Sequence, residues 1–170
     1  MSLKIPEVIS EAEFNQLLKA AKKNELKAAF RFGFYQGMRV TEVISLNKED
    51  VNIETGFIHI RQGKGCKDRQ IPIRDEVIHY IRYLPINYTR QGLHKAIRTL
   101  SLKVLNKDIH FHTLRHSGAT YYLNDKGVDI RFIQQFLGHT RLSTTQIYTH
   151  INPQQLKNAF DNASKVNYSK

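Results

Sequence analysis

Val51-Asn52-Ile53-Glu54-Thr55-Gly56-Phe57-Ile58-His59-Ile60-Arg61, running on through Gln62-Gly63-Lys64-Gly65-Cys66-Lys67-Asp68 to Arg69-Gln70-Ile71-Pro72-Ile73, is where the sequence leaves a helical rhythm. Val51–Ile53 and Phe57–Arg61 alternate like strands around a turn at Glu54-Thr55-Gly56. Gln62–Asp68, rich in Gly and Lys, reads as a hairpin tip. Arg69–Ile73 reads as a third strand, and Pro72 places it at an edge or near its end, because proline cannot donate to a ladder.

On either side the pattern is helical. Ser10 and Glu13 have capping-box spacing, and Phe14, Leu17, Leu18 and Ala21 follow at helical intervals. A second helix is predicted over Glu25–Gln36, stopped by Gly37, and a short one over Thr41–Leu46. Beyond the strands, helices are predicted near Asp75–Leu84, Thr89–Val104, Thr113–Lys126, Asp129–Leu137, Ser143–Thr149 and Pro153–Phe160. Gly127 and Gly138 are stops, and Pro153 sits well as a first helical residue. The fold class is therefore α+β: one mostly helical domain with a small three-stranded antiparallel sheet. No repeat, low-complexity tract or domain boundary interrupts residues 1–170.

Composition narrows the function classes. Lys and Arg number 26 against 15 Asp and Glu, a net charge of +11. Such a surplus favours a polyanionic partner over an inert basic surface, and nucleic acid over an anionic membrane, because no segment pairs a basic face with a broad apolar one. No apolar run is long enough to cross a bilayer and no signal-peptide pattern opens the chain, so a cytoplasmic protein is expected. The single cysteine, Cys66, cannot form an internal disulfide.

Four short stretches carry chemistry. In Gly37-Met38-Arg39-Val40-Thr41-Glu42 an arginine just past a helix stop can be oriented by Glu42, as a phosphate clamp or as an ordinary surface ion pair. In Gln62–Arg69, Lys64 lies between two glycines that let the backbone approach a ligand; the alternative is a solvated basic turn. The spacing of a Walker loop is absent. His112-Thr113-Leu114-Arg115-His116 puts His112 and Arg115 on one face at a helix start, where anions are favoured. His110, His112 and His116 raise a metal reading, but Thr113 stands where the H-E-x-x-H motif needs Glu. Finally, Leu137-Gly138-His139 is followed by Ser143-Thr144-Thr145-Gln146-Ile147-Tyr148-Thr149-His150, a polar setting that suits a reachable tyrosine hydroxyl rather than a packed ring.

In this order, with these flanks, the blocks G-M-R-V-T-E (37–42), G-K-G-C-K-D-R-Q-I-P-I (63–73), H-T-L-R-H-S-G-A-T (112–120) and L-G-H-T-R-L-S-T-T-Q-I-Y-T-H (137–150) resemble the tyrosine recombinases of the phage-integrase and Xer type. The resemblance runs from about Ile5 to about Phe160. It implies a catalytic domain across 1–170 without the N-terminal core-binding domain that such enzymes usually carry, and a stretch from Leu84 to His112 shorter than usual.

The resemblance also implies roles. Arg39 and Arg115 would clamp the phosphate, Lys64 would be the hairpin lysine with Lys67 its rival, His112 and His139 the two active-site histidines, and Tyr148 the nucleophile. Glu42 and His116 would support them, and Lys67, Arg69 and Arg141 would meet DNA. The implied reaction cleaves and rejoins double-stranded DNA through a 3′-phosphotyrosine, with no cofactor, no metal and no ATP. A monomer when free would assemble as a tetrameric synapse on DNA, with the short segment after Tyr148 packing on a neighbouring protomer or folding back on its own. Alternatives are relaxation by a type IB topoisomerase-like enzyme, a catalytically silent DNA-binding accessory module, and a metal-dependent nuclease using the histidines.

Overall fold

The computed structural model describes residues 7–61, 68–138 and 153–165. Its first helix, α1 (Glu11–Ala20), starts with the predicted capping box: the Glu13 amide donates to Ser10 Oγ at 3.2 Å, and the Ser10 amide to Glu13 Oε2 at 2.9 Å. Helix α2 (Asn24–Phe34) is buried at Ala28, Ala29, Phe30, Phe32, Gly33 and Phe34, apolar on nearly every side as befits a central helix. It ends two residues before the predicted limit, and Gly37 follows at φ +58°, a left-handed conformation that favours glycine.

Helix α3 (Val40–Ser45) leads to a 3₁₀ turn, Lys48–Asp50, and to the sheet of β1 (Val51–Asn52), β2 (Phe57–Ile60) and β3 (Arg69–Pro72). The strands are antiparallel in the order β1-β2-β3, with Ile58 opposite Ile71 and Ile60 opposite Arg69. Ile58, Ile60 and Ile71 are buried while His59 and Gln70 are exposed, the alternation expected of a one-faced sheet. Pro72 closes β3, as its missing N–H requires.

The predicted helix Asp75–Leu84 is not continuous. It is a single α-turn, α4 (Asp75–Ile78), followed by a 3₁₀ turn, Ile81–Tyr83. An unbroken helix would send the Tyr80 amide to the Glu76 carbonyl. Instead Tyr80 donates to Val77 O at 2.8 Å, and the Glu76 carbonyl accepts from Arg31 Nη1 of α2 at 3.0 Å. The Arg31 guanidinium lies 4.5 Å from the Tyr80 ring centre, so a distant side chain takes the bond the helix would have used.

Helix α5 (Arg90–Leu105) is capped by Thr89 and ended by Asn106 in a left-handed conformation. Helix α6 (Phe111–Thr120) begins two residues earlier than predicted and gives way to a π turn, Tyr121–Asp125, rather than running to Lys126 as one α-helix. Both tyrosines of that turn are buried, and the Tyr122 hydroxyl donates to the Tyr35 carbonyl at 2.9 Å, so burial of two adjacent aromatics sets the wider winding. Helix α7 (Ile130–Leu137) stops at Gly138, φ +70°. Helix α8 (Pro153–Lys165) starts at the predicted proline but outlasts the predicted end by five residues. It packs back on its own chain: Phe160 meets Phe136 at 4.6 Å and Tyr122 at 4.8 Å between ring centres, Ala163 is buried, and Asp161 pairs with buried Arg74 at 3.1 Å. The predicted helix Ser143–Thr149 lies outside the described residues. Among the described residues no helix is long and apolar enough to cross a membrane.

Helices α2 and α6 cross where each carries a glycine. A methyl on Gly33 would come within 2.9 Å of the Phe111 ring, and one on Gly118 would run into the Phe34 carbonyl oxygen. This close crossing brings the middle of α6 beneath the turn after α2. Gly118→Ala should therefore cost about 1–3 kcal/mol or more through overpacking against backbone that cannot step aside. Urea denaturation checks it, and a wild-type midpoint would show that the helices can move apart freely.

Candidate active site around Glu42

Three arginines from three elements converge on one carboxylate. Glu42 lies in the first turn of α3, where its Oε2 accepts the Arg39 amide at 2.8 Å, an anion at a helix N-terminus. Its Oε1 accepts Arg39 Nη1 at 2.8 Å. Arg69, the first residue of β3, adds a two-pronged contact, Nη1 to Oε1 at 2.8 Å and Nη2 to Oε2 at 3.1 Å. Arg115 of α6 brings Nη1 to 3.9 Å from Oε2.

Arg115 is held mainly by carbonyls. Its Nη1 donates to Gly37 O in the turn between α2 and α3 at 2.6 Å, and its Nη2 to Leu137 O at 2.8 Å, at the C-terminal end of α7, where partial negative charge gathers. Arg115 and Glu42 are almost wholly buried, whereas the Arg39 side chain is 39% exposed and so faces what comes from solvent.

The charges shape one another. Burial pushes the Glu42 carboxyl up, but the hydrogen bonds and charge of Arg69, then those of Arg39, outweigh it and hold its pKa below the ordinary 4.5. Burial, with the nearby positive charge of Arg39, draws Arg115 down to about 10, still protonated at neutral pH. His112 stands on the first turn of α6, exposed at its edge. Partial burial and then the charges of Arg115, His116 and Arg39 push its imidazole below the usual histidine value, which keeps it neutral and able to accept a proton at pH 7. Three guanidinium groups against one carboxylate leave a positive field that suits an anion such as a phosphodiester.

Residues 7–155 match the phage integrase family. The chain belongs to that family. It is 35% identical to the tyrosine recombinase XerD of Oceanobacillus iheyensis, over 92% of this chain and 62% of the relative. Among solved structures it is similar to the integrase of mycobacterium phage Brujita, with a TM-score of 0.79 at 21% identity over 96% of this chain and 60% of that one. It is similar also to the XerA recombinase, with a TM-score of 0.74 at 32% identity over 95% and 65%. The chain thus spans about three-fifths of the length of these relatives.

Of the residues that the sequence singles out, the structure brings together Arg39, Glu42, Arg69, His112 and Arg115. His116 is exposed, one turn along α6 from His112. Lys64, Lys67, His139, Arg141 and Tyr148 lie outside the described residues. Among the described residues no three His, Cys, Asp or Glu side chains gather as a metal-ligand set.

Two features escape the sequence reading. Arg69, expected at DNA, has all three guanidinium nitrogens engaged within the protein, since Nε also donates to Phe136 O at 3.2 Å. Nothing local to β3 signals that. The other is a cavity of about 540 Å³ lined by His94, Lys95, Arg98, Thr99, Leu102 and His110. Its signal was available: His94, Lys95 and Arg98 lie at one-face spacing along α5.

Removing the shared anion should be costly. Glu42→Gln keeps shape but leaves buried positive charge uncompensated, a loss of about 3–5 kcal/mol by comparison with other broken buried pairs. Because the folded-state pKa of Glu42 is depressed, its contribution is complete above the ordinary carboxylate value and disappears as pH falls through the folded one. The stability gap between wild type and Glu42→Gln should therefore narrow in acid. Urea titrations at neutral pH and near pH 3 check it, and a gap independent of pH would mean that Glu42 does not act through its charge.

Proposed function

We propose that this chain is the catalytic domain of a tyrosine recombinase that performs site-specific DNA recombination in the cytoplasm. The observation that carries the reading is the convergence of Arg39 and Arg115 on Glu42, with His112 in the first turn of the helix that bears Arg115, in a member of the phage integrase family. The net charge of +11 suits double-stranded DNA as the partner.

In the proposed reaction the Tyr148 oxygen attacks the scissile phosphorus as its proton passes to His112. A phosphorus–tyrosine bond forms and the bond to the 5′ oxygen breaks. Lys64 protonates that leaving oxygen, with Lys67 the rival for the task. Arg39, Arg115 and His139 face the negative charge that builds up on the phosphoryl oxygens. The 3′-phosphotyrosine keeps the bond energy, so a 5′ hydroxyl from a partner strand reverses the step without ATP. Lys67 and Arg141 contact DNA outside the reacting phosphate. The chain is monomeric when free and tetrameric on paired sites.

Tyr148→Phe removes only the attacking oxygen. It should bind DNA with unchanged affinity yet give no covalent adduct on a nicked suicide substrate. Adduct formation at the wild-type rate would remove Tyr148 as nucleophile, and relaxation of supercoils by an unpaired monomer would favour a topoisomerase. Lys64→Ala should slow cleavage of ordinary DNA by about 10²–10⁴-fold, the usual worth of a positioned general acid. The rate should return with a 5′-bridging phosphorothiolate, whose leaving group needs no proton. An equal defect on both substrates would transfer the role to Lys67.

A further inference from the structure

Arg69 occupies a position that neither the proposed chemistry nor its surface charge accounts for. Its side chain is only 10% exposed, and it bridges Glu42 of α3 and the C-terminal end of α7. Its two terminal nitrogens fill one acceptor site on each Glu42 oxygen, while the Arg39 amide and guanidinium fill another on each. A carboxylate offers about four such sites, so Glu42 is saturated and cannot rotate without losing a bond. The remaining nitrogen, Nε, holds the Phe136 carbonyl at the end of α7. One residue along, Leu137 O accepts from Arg115.

The contact with α7 is close. A methyl on Gly138 would come within 2.8 Å of Arg69 Cδ and 3.0 Å of its Nε, so the chain leaves α7 pressed against the arginine stem. His139 is the next residue, and Arg69 itself follows directly on the hairpin that bears Lys64.

We infer that Arg69 is a positioning residue, which fixes Arg39 through Glu42 and fixes the exit of α7 toward His139, and does not contact DNA. The inference rests on the recombinase reading above. The geometry needs a planar guanidinium: two parallel bonds to a carboxylate and a third, divergent one to a carbonyl lie in one plane. A lysine ammonium carries the same charge but cannot make that set. Without Arg69, Glu42 keeps its Arg39 bonds but loses two of its four donors. The carboxylate is then free to turn toward Arg115, 3.9 Å away, and to draw Arg39 with it.

The test compares wild type, Arg69→Lys and Arg69→Met in single-turnover adduct formation on a nicked suicide substrate, with saturating protein. Equilibrium DNA affinity and circular dichroism are measured alongside. Arg69→Lys keeps the charge beside Glu42 and so guards against a Met variant that fails to fold. The expected result is cleavage slowed by about 10- to 100-fold in Arg69→Lys, the effect of an ångström-scale misplacement, with affinity unchanged. The acid limb of the rate profile should also move to higher pH in Arg69→Met, because Arg69 is the strongest influence lowering the Glu42 pKa; a merely structural role would leave that limb in place. Arg69→Lys cleaving at the wild-type rate, or losing affinity in proportion to rate, would overturn the inference and return Arg69 to simple charge or to the DNA surface. If wild type itself forms no adduct, the recombinase reading falls and this inference with it.

Discussion

A carboxylate taken out of water stays ionised only if donors replace its hydration, and Glu42 has four of them. That requirement ties together parts of the chain that share no sequence neighbourhood. The start of α3 supplies the Arg39 amide and guanidinium, the start of β3 supplies Arg69, and α6 brings Arg115 within reach. Glu42 is kept charged by Arg39 and Arg69, and Arg69 is buried against it, whereas Arg115 rests chiefly on the Gly37 and Leu137 carbonyls. The sheet, a small structure by itself, matters chiefly as the arm that delivers Arg69.

The second constraint is steric. Arg115 reaches Gly37 O and Leu137 O only if α6 lies close under α2, and that approach requires Gly33 and Gly118 at the crossing. Packing density and site geometry are here the same fact. Leu137 ends α7, so its carbonyl has no partner within that helix and Arg115 supplies one. The result is a guanidinium fixed by backbone, with little freedom left in its side chain, beside Arg39, whose outer face remains open to solvent. One positive group is rigid and the other reachable from solvent, an arrangement that can receive an anion.

Helix α8 completes the core against the end of α7 and the π turn. Leu156, Phe160 and Ala163 are buried, and Arg74 with Asp161 supplies one polar tie. Burial of Phe160 against Phe136 means that the end of α7 is held from two directions, by aromatic packing and by Arg69. Both grips act within two residues of Gly138, where the chain turns toward His139.

Much of this was legible beforehand because it is local. A capping box, a period of two, a proline closing a strand and a glycine at a left-handed stop each act over a few residues, and Ser10, Val51–Ile60, Pro72 and Gly138 signal them directly. The order of Arg39, Lys64, His112, Arg115, His139 and Tyr148 was likewise sufficient to suggest the family. What no window could reveal were contacts set by packing. The helix predicted over Asp75–Leu84 broke because Arg31, some 45 residues away, captured the Glu76 carbonyl. Helix α6 widened into a π turn to bury Tyr121 and Tyr122, and α8 outran its predicted end because Ala163 found a buried place. Arg69, expected to meet DNA, pairs with Glu42, 27 residues earlier, a contact that nothing local to its sequence signals. Residue type and spacing determined which charges the protein carries and in what order. Only the tertiary structure decided which of them face each other, because that depends on the distance between elements and on the cost of leaving a buried charge unpaired.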